Sequence, residues 1–116
     1  MNNSSYGLSE EAKKDSRQKL WKKQRKERGF DDTELWNLFH HIAEYIAPRI
    51  KAFRDNEKFG HPASLSPEAW QEILTKITYS FEKIVEDNLW FLDEEENKKI
   101  EEGLDLFREW YLNLWD

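Results

Sequence analysis

The chain has 116 residues, of which 38% are hydrophobic and 36% charged, with 6 Trp, 7 Phe, 4 Tyr and no Cys. This length suits a single domain. The absence of Cys excludes a disulfide framework and a Cys-ligated metal or iron–sulfur site. No apolar run approaches the roughly 18 residues of a membrane span, and the first residues lack the apolar core of a signal peptide. We therefore expect a soluble, cytoplasmic protein.

The net charge of −6 is unevenly distributed along the chain. Residues 1–28 hold nine basic and four acidic groups, a balance of +5, whereas residues 29–116 hold nine basic and twenty acidic groups, a balance of −11. This asymmetry predicts a basic N-terminal arm at residues 1–28 and an acidic domain at residues 29–116. The arm has few apolar residues, so we expect a marginal helix or an extended segment. The arm either contacts an acidic surface or nucleic acid, or serves only to increase the solubility of the chain.

The first helix of the acidic domain is predicted to begin after Gly29, because an Asp or Thr within residues 30–33 can accept from the free N–H groups of a first turn. Apolar residues then recur every three or four positions, at Leu35, Leu38, Phe39, Ile42, Ile46, Ile50 and Phe53. Pro48 lacks an N–H and clashes with the carbonyl four residues earlier. Because the apolar stripe keeps its phase, we predict a kink there, followed by a loop at residues 56–65.

Two further helices follow. The pair Ser66 and Pro67 is a strong start signal, and Asp93 with Glu96 indicates a second N-cap. The apolar stripes are Trp70, Ile73, Leu74, Ile77, Phe81, Ile84 and Val85, and then Ile100, Leu104, Phe107, Tyr111 and Leu114. Gly103 lies within the last stripe and is typical of a close approach by another helix. No strand-like alternation occurs, so the sequence predicts an all-α protein: a bundle of three long helices plus the basic arm.

Signatures of enzyme chemistry are missing. The sequence has no Gly-rich phosphate loop, no H-E-x-x-H and no G-x-S-x-G. His40 and His41 point about 100° apart on a helix, so they do not share a metal, and His40 with Glu44 is typical of a surface hydrogen bond. The carboxylates at residues 94–96 and 101–102 are typical of a helix start and a solvated face. We expect a non-enzymatic protein with no cofactor and no metal.

The cations at residues 48–54 stand out within the acidic domain. Arg49 lies in the same sector as the apolar stripe, so part of its side chain is expected to be buried. A half-buried guanidinium needs an anionic partner. That partner is either an internal carboxylate, from Glu72, Glu102 or Asp105, or an anionic ligand.

The Trp residues form a second set of candidates. Trp70 and Trp110 lie close to the core stripes, whereas some of Trp36, Trp90 and Trp115 are expected to stay partly exposed. Exposed Trp is typical of protein interfaces. The run WYLNLW at residues 110–115 is apolar on more faces than one bundle can cover, which predicts a homo-oligomer, with a two-fold dimer as the first expectation. We assign Trp90, Trp110 and Trp115 to partner binding.

Several segments resemble a family of small phage- or prophage-encoded helical proteins of uncharacterised activity. The likeness covers residues 25–116 and includes RGFDDTELWNL at 28–38, IAPRIKAF at 46–53, and residues 60–62, 70–74, 101–107 and 114–116. Phage accessory proteins of this size are often stoichiometric antagonists of host defence. By this analogy, the resemblance implies sequestration of a nucleotide-derived immune signal or the blocking of a host defence protein.

These observations lead to two hypotheses about function. In the first, a nucleotide-type ligand is bound by Arg49 and Arg54 at its phosphate, by stacking on Trp36, and by Asn37 or His40 at its base or sugar. In the second, the chain is an inhibitor or adaptor that binds a host protein. Nucleic acid is a weaker candidate, because an acidic domain repels phosphate.

Overall fold

A computed structural model describes residues 10–56, 59–86, 89 and 92–115, with side chains from residue 16 onward. The described residues contain no β-strand, which confirms the all-α prediction. The elements are α1 (Glu10–Arg28), a 3₁₀ turn (Asp32–Leu35), α2 (Leu38–Asp55), α3 (Pro67–Val85), α4 (Glu94–Trp110) and a 3₁₀ turn (Tyr111–Asn113).

The chain divides into two compact units, Met1–Leu38 and Phe39–Asp116, which we call the N-terminal unit and the C-terminal unit. The charge-based division at residue 28 stays a prediction.

The N-terminal unit is organised around the end of α1. Gly29, with a φ of +86°, ends the helix in the left-handed conformation that glycine adopts without steric cost. The buried carboxylate of Asp31 then accepts a hydrogen bond from the Thr33 amide at 2.9 Å, and the Glu34 carboxylate accepts from the Asp31 amide at 3.0 Å. This capping box confirms a helical start at residues 30–33, although it caps a short 3₁₀ turn.

The long helix predicted to follow directly from this cap begins later. Asn37 has a φ of +51°, which interrupts the helical path, and α2 begins at Leu38. Asn is among the few non-glycine residues that adopt this conformation readily. Leu35 therefore belongs to the 3₁₀ turn and not to the stripe of α2.

The C-terminal unit is built on the closely packed pair α3 and α4. Both start signals are confirmed: Ser66 Oγ accepts from the Ala69 amide at 3.1 Å, and Asp93 Oδ1 accepts from the Glu96 amide at 2.8 Å. The buried Gly103 faces α3, and a Cβ atom there would lie 2.4 Å from a backbone carbonyl oxygen of that helix. The predicted close approach at Gly103 is thus confirmed.

The core of this unit draws on all three of its long helices. Its buried apolar residues are Ala43, Ala47, Ile50, Trp70, Leu74, Ile77, Phe81, Ile84 and Ile100. Pro48 lies inside α2, and the kink predicted there stays a prediction. The buried face of α2 differs from the predicted stripe, because the small residues Ala43 and Ala47 pack inward while Phe39 and Ile42 are about half exposed. The apolar stripe of α2 is therefore wider than the surface that the unit covers.

Candidate functional site

The uncovered part of α2 forms one edge of an apolar groove in the C-terminal unit. Phe39 and Ile42 line it, and their side chains are 52% and 46% exposed. The groove has a volume of about 450 Å³. Its other lining residues are Phe81, Ile84, Leu89, Asn97, Ile100, Glu101 and Leu104. An apolar surface of this kind, open to solvent, is a candidate site of interaction.

Two polar residues of α4, Asn97 and Glu101, also line this groove. Glu101 is exposed and has no ion-pair or hydrogen-bond partner among the residues that the structure describes. Its carboxylate is therefore available to a cation on a ligand that occupies the groove.

The exposed strip of α2 continues beyond the groove to Tyr45 and Arg49. The Arg49 guanidinium carbon lies 3.8 Å from the centroid of the Tyr45 ring, and its Nη1 donates to the Tyr45 carbonyl oxygen at 2.9 Å. This is a cation–π contact on the helix surface. The Arg49 side chain is exposed and, in the described part of the chain, contacts no carboxylate, whereas an anionic ligand as its partner stays a prediction. Two of the carboxylates proposed for it, Glu72 and Glu102, pair with Lys76 instead.

His40 also belongs to the predicted ligand set, but both of its ring nitrogens contact other residues of the C-terminal unit. Its Nε2 lies 3.1 Å from the Val85 carbonyl oxygen, and its Nδ1 lies 3.4 Å from Glu44 Oε1. His41 approaches the same Glu44 oxygen at 3.3 Å. The contact with Val85 attaches α2 to the end of α3, whereas both contacts with Glu44 lie within α2, so His40 acts here as a packing residue.

The remaining predicted ligand residues lie in different places. Trp36 and Asn37 belong to the N-terminal unit, where the Trp36 ring meets the Trp21 ring edge-on at 6.1 Å. Arg54 lies in the last turn of α2, in the C-terminal unit, where its side chain pairs with Asp55 and its backbone carbonyl accepts from Gln71. No described contact joins its side chain to the side chain of His40 or Arg49, and the shared ligand site stays a prediction.

Arg54 instead lines a second cleft, of about 480 Å³, at the junction of α2, the following loop and the start of α3. The other lining residues are Asp55, Asn56, Phe59, Gly60, His61, Pro67, Trp70 and Gln71. Sequence reasoning missed His61 and Gln71 as members of this cleft, because neither shows a motif with Arg54 along the chain.

The predicted partner-binding Trp residues differ in exposure. Trp110 is half-buried and packs against Trp70 with ring centroids 5.8 Å apart, whereas Trp115 is 71% exposed and lines a small cleft with Gly60, His61 and Pro62. Trp90 lies outside the described residues. The assignment of these residues to a partner stays a prediction.

Within the described residues, no group of three or more His, Cys, Asp or Glu is arranged to hold a metal ion. The helices described here include none that is long and apolar enough to cross a membrane. Comparison of the chain with protein-family models, curated proteins and solved structures finds no match.

Proposed function

We propose that the protein acts by stoichiometric binding of a protein partner, without catalysis, and that the partner inserts a helix into the groove of the C-terminal unit. The observation that carries this proposal is the open apolar groove, with Phe39 and Ile42 half exposed along one edge. Apolar side chains on a monomer surface cost solubility, and they are retained where a partner covers them.

The shape of the groove favours a helix as its occupant. Its lining residues on α4 run from Asn97 to Leu104, which at 1.5 Å per residue is about 10 Å, or two turns of helix. Residues three or four positions apart line it on α2, α3 and α4, as in grooves that accept the apolar face of an amphipathic helix.

The charge of the groove favours a basic partner helix. Glu101 is the one acidic residue in its lining, and it has no partner among the described residues. The C-terminal unit as a whole holds nine basic and seventeen acidic groups, a balance of −8. Electrostatic complementarity of this kind raises the association rate and selects against acidic partners.

The resemblance to phage proteins bears on the source of the protein and on the kind of partner that it binds. It supports a phage accessory protein that acts in the host cytoplasm by blocking a defence protein. We also propose that α2, α3 and α4 form a three-helix bundle with a kink at Pro48, and that the exposed C-terminal run joins two copies.

Capture of a nucleotide-derived signal by all five predicted residues has less support, because Arg49 and His40 contact backbone carbonyls of their own unit.

The experiment uses a 20-residue amphipathic helical peptide with a Leu stripe and Lys on its flanks, compared with the same peptide carrying Glu flanks. We expect the Lys peptide to bind more tightly, as measured by fluorescence anisotropy. Ile42→Asp should weaken its binding by about tenfold or more, the equivalent of 1.4 kcal/mol. Glu101→Gln should reduce the preference for the Lys peptide.

Leu20→Asp is the matched control, because Leu20 is 49% exposed, close to the 46% of Ile42, and does not line the groove. Equal binding by wild type and Ile42→Asp would overturn the proposal. So would a dimer, detected by analytical ultracentrifugation, that Ile42→Asp dissociates and the peptide does not displace, since a second copy would then be the occupant.

A further inference from the structure

The guanidinium of Arg54 is half-buried and only partly paired. The Arg54 Nε atom lies 2.9 Å from Asp55 Oδ1. The backbone carbonyl oxygen of Arg54 accepts a hydrogen bond from Gln71 Nε2 at 3.0 Å. The Gln71 contact fixes the end of α2 against α3. The two terminal nitrogens, Nη1 and Nη2, have no partner among the described residues. A half-buried guanidinium with unpaired donors lacks the acceptors that it had in water.

The cleft in front of Arg54 offers other groups that suit a small polar ligand. The Nδ1 atom of His61 lies 3.0 Å from the Pro62 carbonyl oxygen, and its Nε2 has no partner in the described part of the chain. The Phe59 ring packs against Phe53 with centroids 4.9 Å apart and also lines the cleft, so a planar group has an aromatic surface to contact. The volume of about 480 Å³ is within the usual range for small-ligand sites.

We propose that this cleft binds a phosphate monoester that carries a planar ring, the chemistry of a nucleoside monophosphate. The phosphate accepts hydrogen bonds from Nη1 and Nη2 of Arg54, a paired geometry that guanidinium groups form well. The Nε2 atom of His61 accepts a hydrogen bond from a sugar hydroxyl, since its Nδ1 donates to the Pro62 carbonyl oxygen, and the planar ring packs on Phe59. The cleft and the groove share no lining residue, so this site is independent of the proposed protein partner.

The neighbouring carboxylate of Asp55 shapes the affinity of the site. It contacts the Nε edge of the guanidinium, which leaves the Nη edge open, but its negative charge repels a phosphate. Asp55→Asn removes that repulsion while it keeps an oxygen acceptor near Nε. We therefore expect the Asn variant to bind phosphate more tightly than wild type, an effect that a purely structural Arg54–Asp55 pair does not predict.

The test is a titration of the full chain with adenosine monophosphate, inorganic phosphate and adenosine at constant ionic strength, followed by amide and arginine Nε–H NMR shifts. We expect adenosine monophosphate to bind more tightly than phosphate, and adenosine to bind weakest. Arg54→Gln should weaken adenosine monophosphate binding by about tenfold, a typical loss for a charge-assisted pair. Arg108→Gln, which changes an exposed arginine on α4 that does not line the cleft, should leave it unchanged.

Each alternative outcome contradicts a defined part of the proposal. Equal binding of adenosine monophosphate by wild type and Arg54→Gln overturns the phosphate site. Equal affinity for adenosine monophosphate and inorganic phosphate overturns the contact with the planar ring. Tighter binding by Asp55→Asn supports the site even if Arg54→Gln fails to fold. Since the peptide assay probes the groove, failure of one proposal is distinguishable from failure of the other.

Discussion

The two units of this chain are stabilised by different means. The N-terminal unit holds nine basic and seven acidic groups. Its described contacts converge on the buried carboxylate of Asp31, which pairs with Arg25 and caps a 3₁₀ turn. In the C-terminal unit, nine apolar side chains are buried, and α3 and α4 meet through the small residues Ser80 and Gly103. The first unit therefore depends on charge, and the second on packing.

This difference also locates the candidate binding surfaces. The apolar groove and the Arg54 cleft both lie in the C-terminal unit, where helices converge on a core that leaves side chains at its margins unpaired. A fixed core gives such surfaces a fixed shape, which lowers the entropic cost of binding. Disturbing the packing should therefore affect both surfaces, whereas changing the charges of the N-terminal unit should affect neither.

The largest expected effect comes from Gly103→Ala. The added Cβ would lie 1.9 Å from Ser80 Oγ and 2.4 Å from the Lys76 carbonyl oxygen, so the backbones of α3 and α4 must separate. We expect the free energy of unfolding to fall by more than about 3 kcal/mol, because overpacking against backbone outweighs the gain in helix propensity. Thermal and urea unfolding measure the change.

Gly60→Ala is the matched control, since a Cβ at Gly60 has no atom within 4 Å. It should leave the unfolding midpoint close to that of wild type. If Gly103→Ala were as stable as Gly60→Ala, the close packing of α3 on α4 would be wrong.

The second expected effect separates the two faces of α2. Ile50 is 5% exposed and belongs to the core, whereas Ile42 is half exposed at the groove. Ile50→Ala should destabilise the chain by about 2.5 kcal/mol, because it leaves a cavity. Ile42→Ala, the same chemical change, should cost much less and should weaken the binding of the peptide. Similar losses of stability in both variants would contradict the buried face assigned to α2.

The sequence alone predicts the features that depend on residues close together along the chain. The N-caps at Ser66 and Asp93 and the close approach at Gly103 are local signals, and the structure confirms all three. The helical start at residues 30–33 is a short 3₁₀ turn, and the long helix α2 begins only at Leu38, because Asn37 adopts the left-handed conformation without a distinctive signal in the sequence.

The candidate sites were harder to predict because they depend on contacts between distant residues. The apolar stripe of α2 shows period and phase, but the choice of Ala43 and Ala47 as the buried side depends on how closely the other helices approach. Arg54 and Gln71 are 17 positions apart, and nothing in their spacing links them. Arg49 is a different case: it is exposed and not half-buried, because its side chain lies over the ring of Tyr45, one helical turn earlier, at the surface.

The smallest expected effect is confined to the N-terminal unit and concerns pH. Hydrogen bonds from the Thr33 side chain, and then from Arg25, hold the pKa of Asp31 below its usual value of 3.8. Because the folded pKa lies below the unfolded one, Asp31 contributes stability that is fully present above pH 3.8 and is lost as the pH falls through the folded value. In Asp31→Asn this pH dependence should become smaller, and the part due to Asp32, whose pKa is also lowered by hydrogen bonds from Gln24 and Arg28, should remain. Asp105→Asn, at an exposed carboxylate with no partner among the described residues, is the control. NMR titration of the Thr33 amide between about pH 2 and 6, a window that spans the usual Asp pKa, measures the transition.

We expect the resonances of Leu74 and Ile77, in the core of the C-terminal unit, to be unchanged by Asp31→Asn. If they shift together with Thr33, stability in the two units does not rest on separate interactions.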